Sequence, residues 1–184
     1  MPEDIWDIRR KAPAHFWAKA DNARFAAYVL SHQTALAQKA ASAESGYMAS
    51  TGIALTEGFL RESSIAMELI LKAAILALSD EVPPPFTHDV PRLWREAKLP
   101  KPSRDDSYRL QEMAMLLDWS GRYGAPRSNE KLERQLADLK RFERTERLGT
   151  LRIRKNIVLT WEDFDRLYQV AAAAYFERLD SRTP

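Results

Sequence analysis

LRESSIAMELILKAAILAL, residues 60–78, is apolar around most of the circumference of a helix, yet it carries charge along one line. Glu57, Arg61, Glu68 and Lys72 follow one another at spacings of four, seven and four residues. At about 3.6 residues per turn, these spacings bring all four close to one face. A helix that is apolar on its remaining sides belongs at the centre of a bundle. Unpaired charge is costly to bury there. The charged line is therefore expected to face solvent, a partner or a cleft.

Outward from this helix the pattern stays helical. Residues 16–45 place Phe16, Ala20, Ala23, Ala27, Leu30 and Ala37 on one side of one long helix, with residues 1–15 as a polar leader docked by Ile5, Trp6 and Ile8. Gly46 and the Ser/Thr residues after it predict a break, and the second long helix is expected over 53–79. The run Pro83-Pro84-Pro85 forbids helix. Thr87 is expected to cap a short helix ending near Lys98. Ser103 to Asp106 and Thr160 to Asp163 both resemble capping boxes, opening helices over 103–119 and 161–180. Between them, 129–147 reads as an exposed amphipathic helix. Part of 148–160 alternates like a short strand or hairpin. The expectation is an all-α, irregular four-helix bundle with an extra short helix and a charged excursion at 128–159.

The chain has 184 residues, a formal net charge of +2 and no cysteine. One domain can bury a sizeable core at this length. Near-neutral charge rules out a molecule basic overall, so any nucleic-acid footprint must be local. Without cysteine there are no disulfides, thiolate nucleophiles or cysteine-ligated metal sites. The start of the chain lacks the apolar core of a secretory signal, and Glu68 and Lys72 interrupt the longest apolar run. A cytoplasmic protein outside the membrane is expected. No glycine-rich phosphate loop and no nucleophile elbow is present. Three scattered histidines, His15, His32 and His88, do not make a metal site. No catalytic residue, metal or cofactor is assigned.

The order AMELILKAAILAL, a proline break, THDVPRLWREA, and a helix running into WSGRYGAP resembles a HEPN domain. The resemblance covers roughly residues 16–127 and the final helix. It implies a helical bundle, often a homodimer, of a branch that binds nucleotides and works with a nucleotidyltransferase. Other branches are metal-independent ribonucleases of toxin–antitoxin and phage-defence systems, which use an Arg followed four to six residues later by a His in a late helix. Arg152 and Arg154 have no such His after them. Arg10 and His15 match the bare spacing, but Pro13 breaks the helical register between them. Gly124 also stands where that branch has a Pro after Tyr.

The residues allow two readings each. Glu68 and Lys72 form an ordinary i,i+4 pair, or Lys72 meets an anionic group such as a phosphate while Glu68 holds it. His88 is a packed loop histidine, or a donor or proton carrier in the same groove. Arg122 and Tyr123 are an exposed Arg beside a packed Tyr, or a phosphate contact beside a stacking ring. Lys140, Arg141, Arg144, Arg147, Arg152, Arg154 and Lys155 track phosphates, or form a solvated arm that docks a partner. The expected function is a non-catalytic HEPN-like accessory protein. Its groove of Glu68, Lys72, His88, Arg122 and Tyr123 would bind a nucleotide, an RNA or a nucleotidyltransferase-like partner. The rival expectations are a ribonuclease using Arg122 with His88, and a structural protein that dimerises or docks through 128–159.

Overall fold

Side-chain caps set most of the helix starts among the described residues. The computed structural model describes residues 9, 11–78, 84–120, 126, 128–154 and 156–181, with backbone alone at 120, 148, 152 and 154. The expected leader contacts of Ile5, Trp6 and Ile8 lie outside the described residues. Helix α1, Pro13–Ser31, starts earlier than the pattern predicted, with Pro13 in its first turn. Proline lacks only an N–H that is orphaned at that position anyway.

The single helix expected over 16–45 is broken. His32 ends α1, and Thr34 starts a second helix, α2, Ala35–Ser45, by accepting from the Ala37 N–H at 3.2 Å. Ser31, His32 and Gln33 side chains bond back to carbonyls of Tyr28 and Val29, which satisfies the last turn of α1. Gly46 closes α2 in the left-handed region at φ 68°. None of the α2 residues is buried.

Ser50 caps the central helix α3, Thr51–Leu76. Its Ala66, Met67, Ile70, Leu71, Ala73 and Ala74 are fully buried. Helix α4, Val90–Glu96, is shorter than expected. Its cap is Asp89, which accepts from the Arg92 N–H at 2.9 Å, rather than Thr87, whose hydroxyl accepts from the Asp89 N–H. Proline at 91 fixes the first turn, so the cap must stand just before it. Helix α5, Arg104–Met115, is capped by Ser103 as predicted and runs into a single π turn, Leu116–Ser120. Helix α7, Trp161–Asp180, is capped by Thr160, also as predicted.

The charged segment departs from its expected single helix over 129–147. Helix α6 covers only Asn129–Lys140. Arg104 donates to the carbonyls of Arg141, Phe142 and Glu143 at 3.0–3.2 Å, removing those acceptors from any further helix. An antiparallel hairpin follows, β1 (Thr145–Leu148) with β2 (Leu151–Arg154), and its turn uses Gly149 at φ 63°. The strands begin before the predicted 148, and the hairpin is the whole sheet content of the described residues. The fold is therefore an all-α bundle with one small hairpin.

Ring and ion-pair contacts fix helix directions. Trp17 stacks on Tyr175, Arg24 pairs with Asp165 at 2.7 Å, and Tyr28 meets Trp161, so α1 and α7 are antiparallel. Phe59 meets Phe164 and Ala74 accepts from Arg178, so α3 and α7 are parallel. Helix α1 therefore lies antiparallel along α3, with Ala20, Ala23 and Ala27 buried between them and Leu30 against Gly58. The core runs through α1, α3, α4, α5 and α7. Among the described residues, no helix is long and apolar enough to cross a membrane.

Candidate functional site

The charged line of the central helix does not stay at the surface. Glu57 and Arg61 are exposed, but two turns on Glu68 and Lys72 are buried, at 7% and 8% exposure. Glu68 survives there because both its oxygens are engaged. Lys72 Nζ donates to Oε1 at 2.6 Å, and His88 Nδ1 lies 2.8 Å from Oε2. A carboxylate can only accept, so Nδ1 carries the proton and Glu68 fixes the imidazole tautomer. The other ring nitrogen, Nε2, has no protein partner among the described residues. His88 belongs to the extended segment before α4, and Thr87 and Asp89 beside it are locked by their own turn and cap bonds.

His88 lines a cleft of about 660 Å³ between the start of α4 and helices α5 and α6. Arg95, Gln111, Asp118, Lys131, Gln135, Asp138 and Arg141 also line it. One wall carries a hydrogen-bonded polar chain. Trp119 Nε1 donates to Gln135 Oε1 at 2.8 Å, Gln135 Nε2 donates to Asp118 Oδ2 at 2.9 Å, and Lys131 Nζ donates to Asp118 Oδ1 at 2.6 Å. Asp118 and Trp119 lie in the π turn, which carries them to face α6. Such single π turns recur at functional sites.

Of the five groove residues expected from the sequence, His88 lines this cleft. Glu68 stands behind it, its Oε2 2.8 Å from His88 Nδ1. Lys72 turns its ammonium onto Glu68 and does not line this cleft. Arg122 and Tyr123 lie outside the described residues.

The basic patch divides. Arg141 pairs with Asp138 at 3.2 Å, and Arg144 with Asp105 at 3.1 Å. Lys140 and Arg147 are exposed. Arg152 and Arg154 are placed on β2 by backbone alone, and Lys155 lies outside the described residues.

Arg95, Gln111, Asp118, Lys131 and Gln135 were not singled out by the sequence. One signal for them existed. Lys131, Gln135 and Asp138 are spaced by four and three on α6, one position before the apolar stripe Leu132, Leu136 and Leu139. Polar residues at this spacing share one side of the helix, at the border of its apolar stripe.

Among the described residues, no group of three or more His, Asp or Glu side chains could hold a metal ion. No family model, curated protein or solved structure matches the chain.

Proposed function

We propose that the chain is a HEPN-like accessory protein that binds an anionic ligand, a nucleotide or RNA, in the cleft beside His88. The observation that carries this reading is the shared Glu68 carboxylate. A buried group tied to both Lys72 and His88 holds the imidazole at the wall of a cleft that also holds Arg95, Lys131 and Arg141. Preorganised donors of this kind suit phosphate oxygens. The order of the sequence motifs around Glu68, Lys72 and His88 supports the HEPN class. The same resemblance makes a second copy of the chain and a nucleotidyltransferase-like protein the expected partners, in a toxin–antitoxin or defence setting.

Calorimetric titration with nucleotides and short RNAs, at low and moderate salt, tests the reading. Binding that weakens in Lys131→Ala and His88→Ala, both still folded, is the expected result. Unchanged binding in both variants would remove the cleft from the account.

A second reading has its own observation. A carboxylate that fixes an imidazole tautomer beside a cleft is also what general acid–base work on RNA requires. RNA cleavage by the purified protein in EDTA, lost in His88→Ala, would establish it. Intact RNA at high protein concentration would leave the binding reading alone.

A further inference from the structure

We infer that the outer edge of β2 docks an extended segment of a partner protein, one that alternates acidic and apolar residues and joins the hairpin as a third strand. The inference is independent of the cleft beside His88.

The hairpin register pairs Thr145 with Arg154, Glu146 with Ile153, Arg147 with Arg152 and Leu148 with Leu151. Residues alternate between faces along a strand, so 145, 147, 152 and 154 share one face and 146, 148, 151 and 153 the other. Neither face is covered where it is described. Thr145 and Arg147 are exposed on the first, and Glu146, Leu151 and Ile153 on the second. Leu151 is 64% exposed and Ile153 45%. Two strands with no packed face are marginal in water. Among the described residues, no third strand pairs with either edge.

Three features of β2 point to the same occupant. Arginine fills three of the four positions on the first face, and Arg147 and Arg152 are register partners. Like charges directly opposite weaken a hairpin, and an acidic neighbour relieves them. Leu151-Arg152-Ile153-Arg154 also alternates strictly. A strand laid beside it, with acids on the arginine face and apolar residues on the other, meets a complementary neighbour at every position. The open backbone edge supplies ladder hydrogen bonds to any extended chain.

The outer edge of β1 fits this occupant less well. Glu146 offsets Arg147 there, and Arg144, just before the strand, is already paired with Asp105 at 3.1 Å. A second copy does not fit β2 either. In any register that matches the faces, β2 against β2 sets arginine beside arginine. The charges that keep a second copy off the edge admit an acidic strand. Nucleic-acid phosphates would answer the arginines but leave Leu151, Ile153 and the open edge unused.

The test measures binding of a labelled, end-capped peptide, Ser-Glu-Val-Glu-Val-Glu-Ser, to the full chain by fluorescence anisotropy. One control, Ser-Glu-Glu-Glu-Val-Val-Ser, keeps the charge and loses the alternation. A second is the alternating peptide N-methylated at its central three residues, which keeps the side chains and removes ladder donors. Each control should bind on the order of tenfold more weakly, the scale of one or two lost hydrogen bonds or charge contacts. Arg152→Glu combined with Arg154→Glu should lose the alternating peptide and gain its lysine counterpart, Ser-Lys-Val-Lys-Val-Lys-Ser. The exchange also sets an acid opposite Arg147, which favours the hairpin.

Equal affinity for either control would overturn the inference, because charge attraction without strand addition would then suffice. No binding of the alternating peptide at millimolar concentration would overturn it too. A short DNA duplex that binds the wild type and not the double variant, with the peptide bound by neither, would give the face to nucleic acid instead. Should the double variant lose its hairpin, amide hydrogen exchange in the wild type decides. Slowing at 151–154 on addition of the peptide supports the inference, and unchanged exchange in the bound complex overturns it.

Discussion

Glu68 and His88, twenty residues apart, are joined by a 2.8 Å contact between Oε2 and Nδ1 that anchors the segment entering α4 to the middle of the central helix. The link from sequence to site runs through this pair. An acid on an otherwise apolar helix is tolerated because two cationic or donor groups meet it.

Lys72 is the partner that makes Glu68 tolerable, so its loss should act on stability first. Lys72→Met is expected to cost about 3 kcal/mol, because it strands a buried carboxylate with a single remaining donor. Adding Glu68→Gln should recover part of that loss, giving strong coupling in a double-mutant cycle. Denaturant melts of the four proteins measure it. Additive effects would show that the pair is not coupled.

Asp106 carries an acid-stability signature. Burial alone would raise its carboxyl, but hydrogen bonds from Arg166 and Ser103 and the charges of Arg166 and Arg109 outweigh that and hold it below the usual 3.8. A depressed folded value favours the native state above the unfolded value, and the contribution is lost as pH falls through the folded one. Asp106→Asn should therefore lower the melting temperature at neutral pH, and the gap to wild type should close below about pH 3.8. Arg166 is half exposed, which screens its share. A gap that stays constant down to pH 2 would contradict this assignment.

Glu112 has the opposite sign. Burial raises its carboxyl, partly offset by Arg109, above the usual 4.5. A raised acid penalises the folded state at neutral pH and not below the unfolded value. Glu112→Gln should stabilise the protein at pH 7, with the gain gone below about pH 4.5. Melting curves across that range check it, and a gain unchanged by acid would refute the cause.

Arg178 closes two helix ends at once. Its Nη1 donates to the Ala74 carbonyl at 2.8 Å and its Nη2 to the Ala97 carbonyl at 2.6 Å, joining the C-terminal turns of α3 and α4 to α7. Burial lowers the guanidinium from its usual value, partly offset by Glu177. Arg178→Met should cost about 1.5–3 kcal/mol by stranding these carbonyls. Hydrogen exchange should quicken at the ends of α3 and α4 before the rest of the bundle. A uniform change across the fold would point elsewhere.

Gly58 faces Leu30, and a Cβ there would meet Leu30 Cδ1 at 3.3 Å. That contact is tight, but it is with the end of a flexible side chain lining an open groove. Gly58→Ala should therefore raise stability by up to about 1 kcal/mol through helix propensity. Gly58→Leu should lower it by about 1–3 kcal/mol through overpacking. Destabilisation by alanine would show that Leu30 cannot yield.

Local chemistry was legible and direction was not. The caps at Ser103 and Thr160 and the breaking glycine at 46 were readable because a cap bonds its own neighbours. Asp89 was missed because Thr87 and Asp89 both offer a cap, and only Pro91 decides between them. The spacing of Glu57, Arg61, Glu68 and Lys72 showed one face. It could not show that α3, 26 residues long, carries this face from solvent into the bundle. The break at 32–34 was hidden because alanine periodicity continues across it. The cleft itself draws on α4, α5, the π turn and α6, elements whose meeting no local pattern encodes.

The most direct measurement of the central claim follows the His88 imidazole by ¹⁵N NMR, assigned with His88→Asn, while adenosine 5′-monophosphate and then a short RNA are added. The account predicts a proton on Nδ1 in the free protein, as the Glu68 contact requires, and a ligand-dependent shift at Nε2 with the Nδ1 bond retained. Ligand binding that leaves both ring nitrogens unmoved would contradict it.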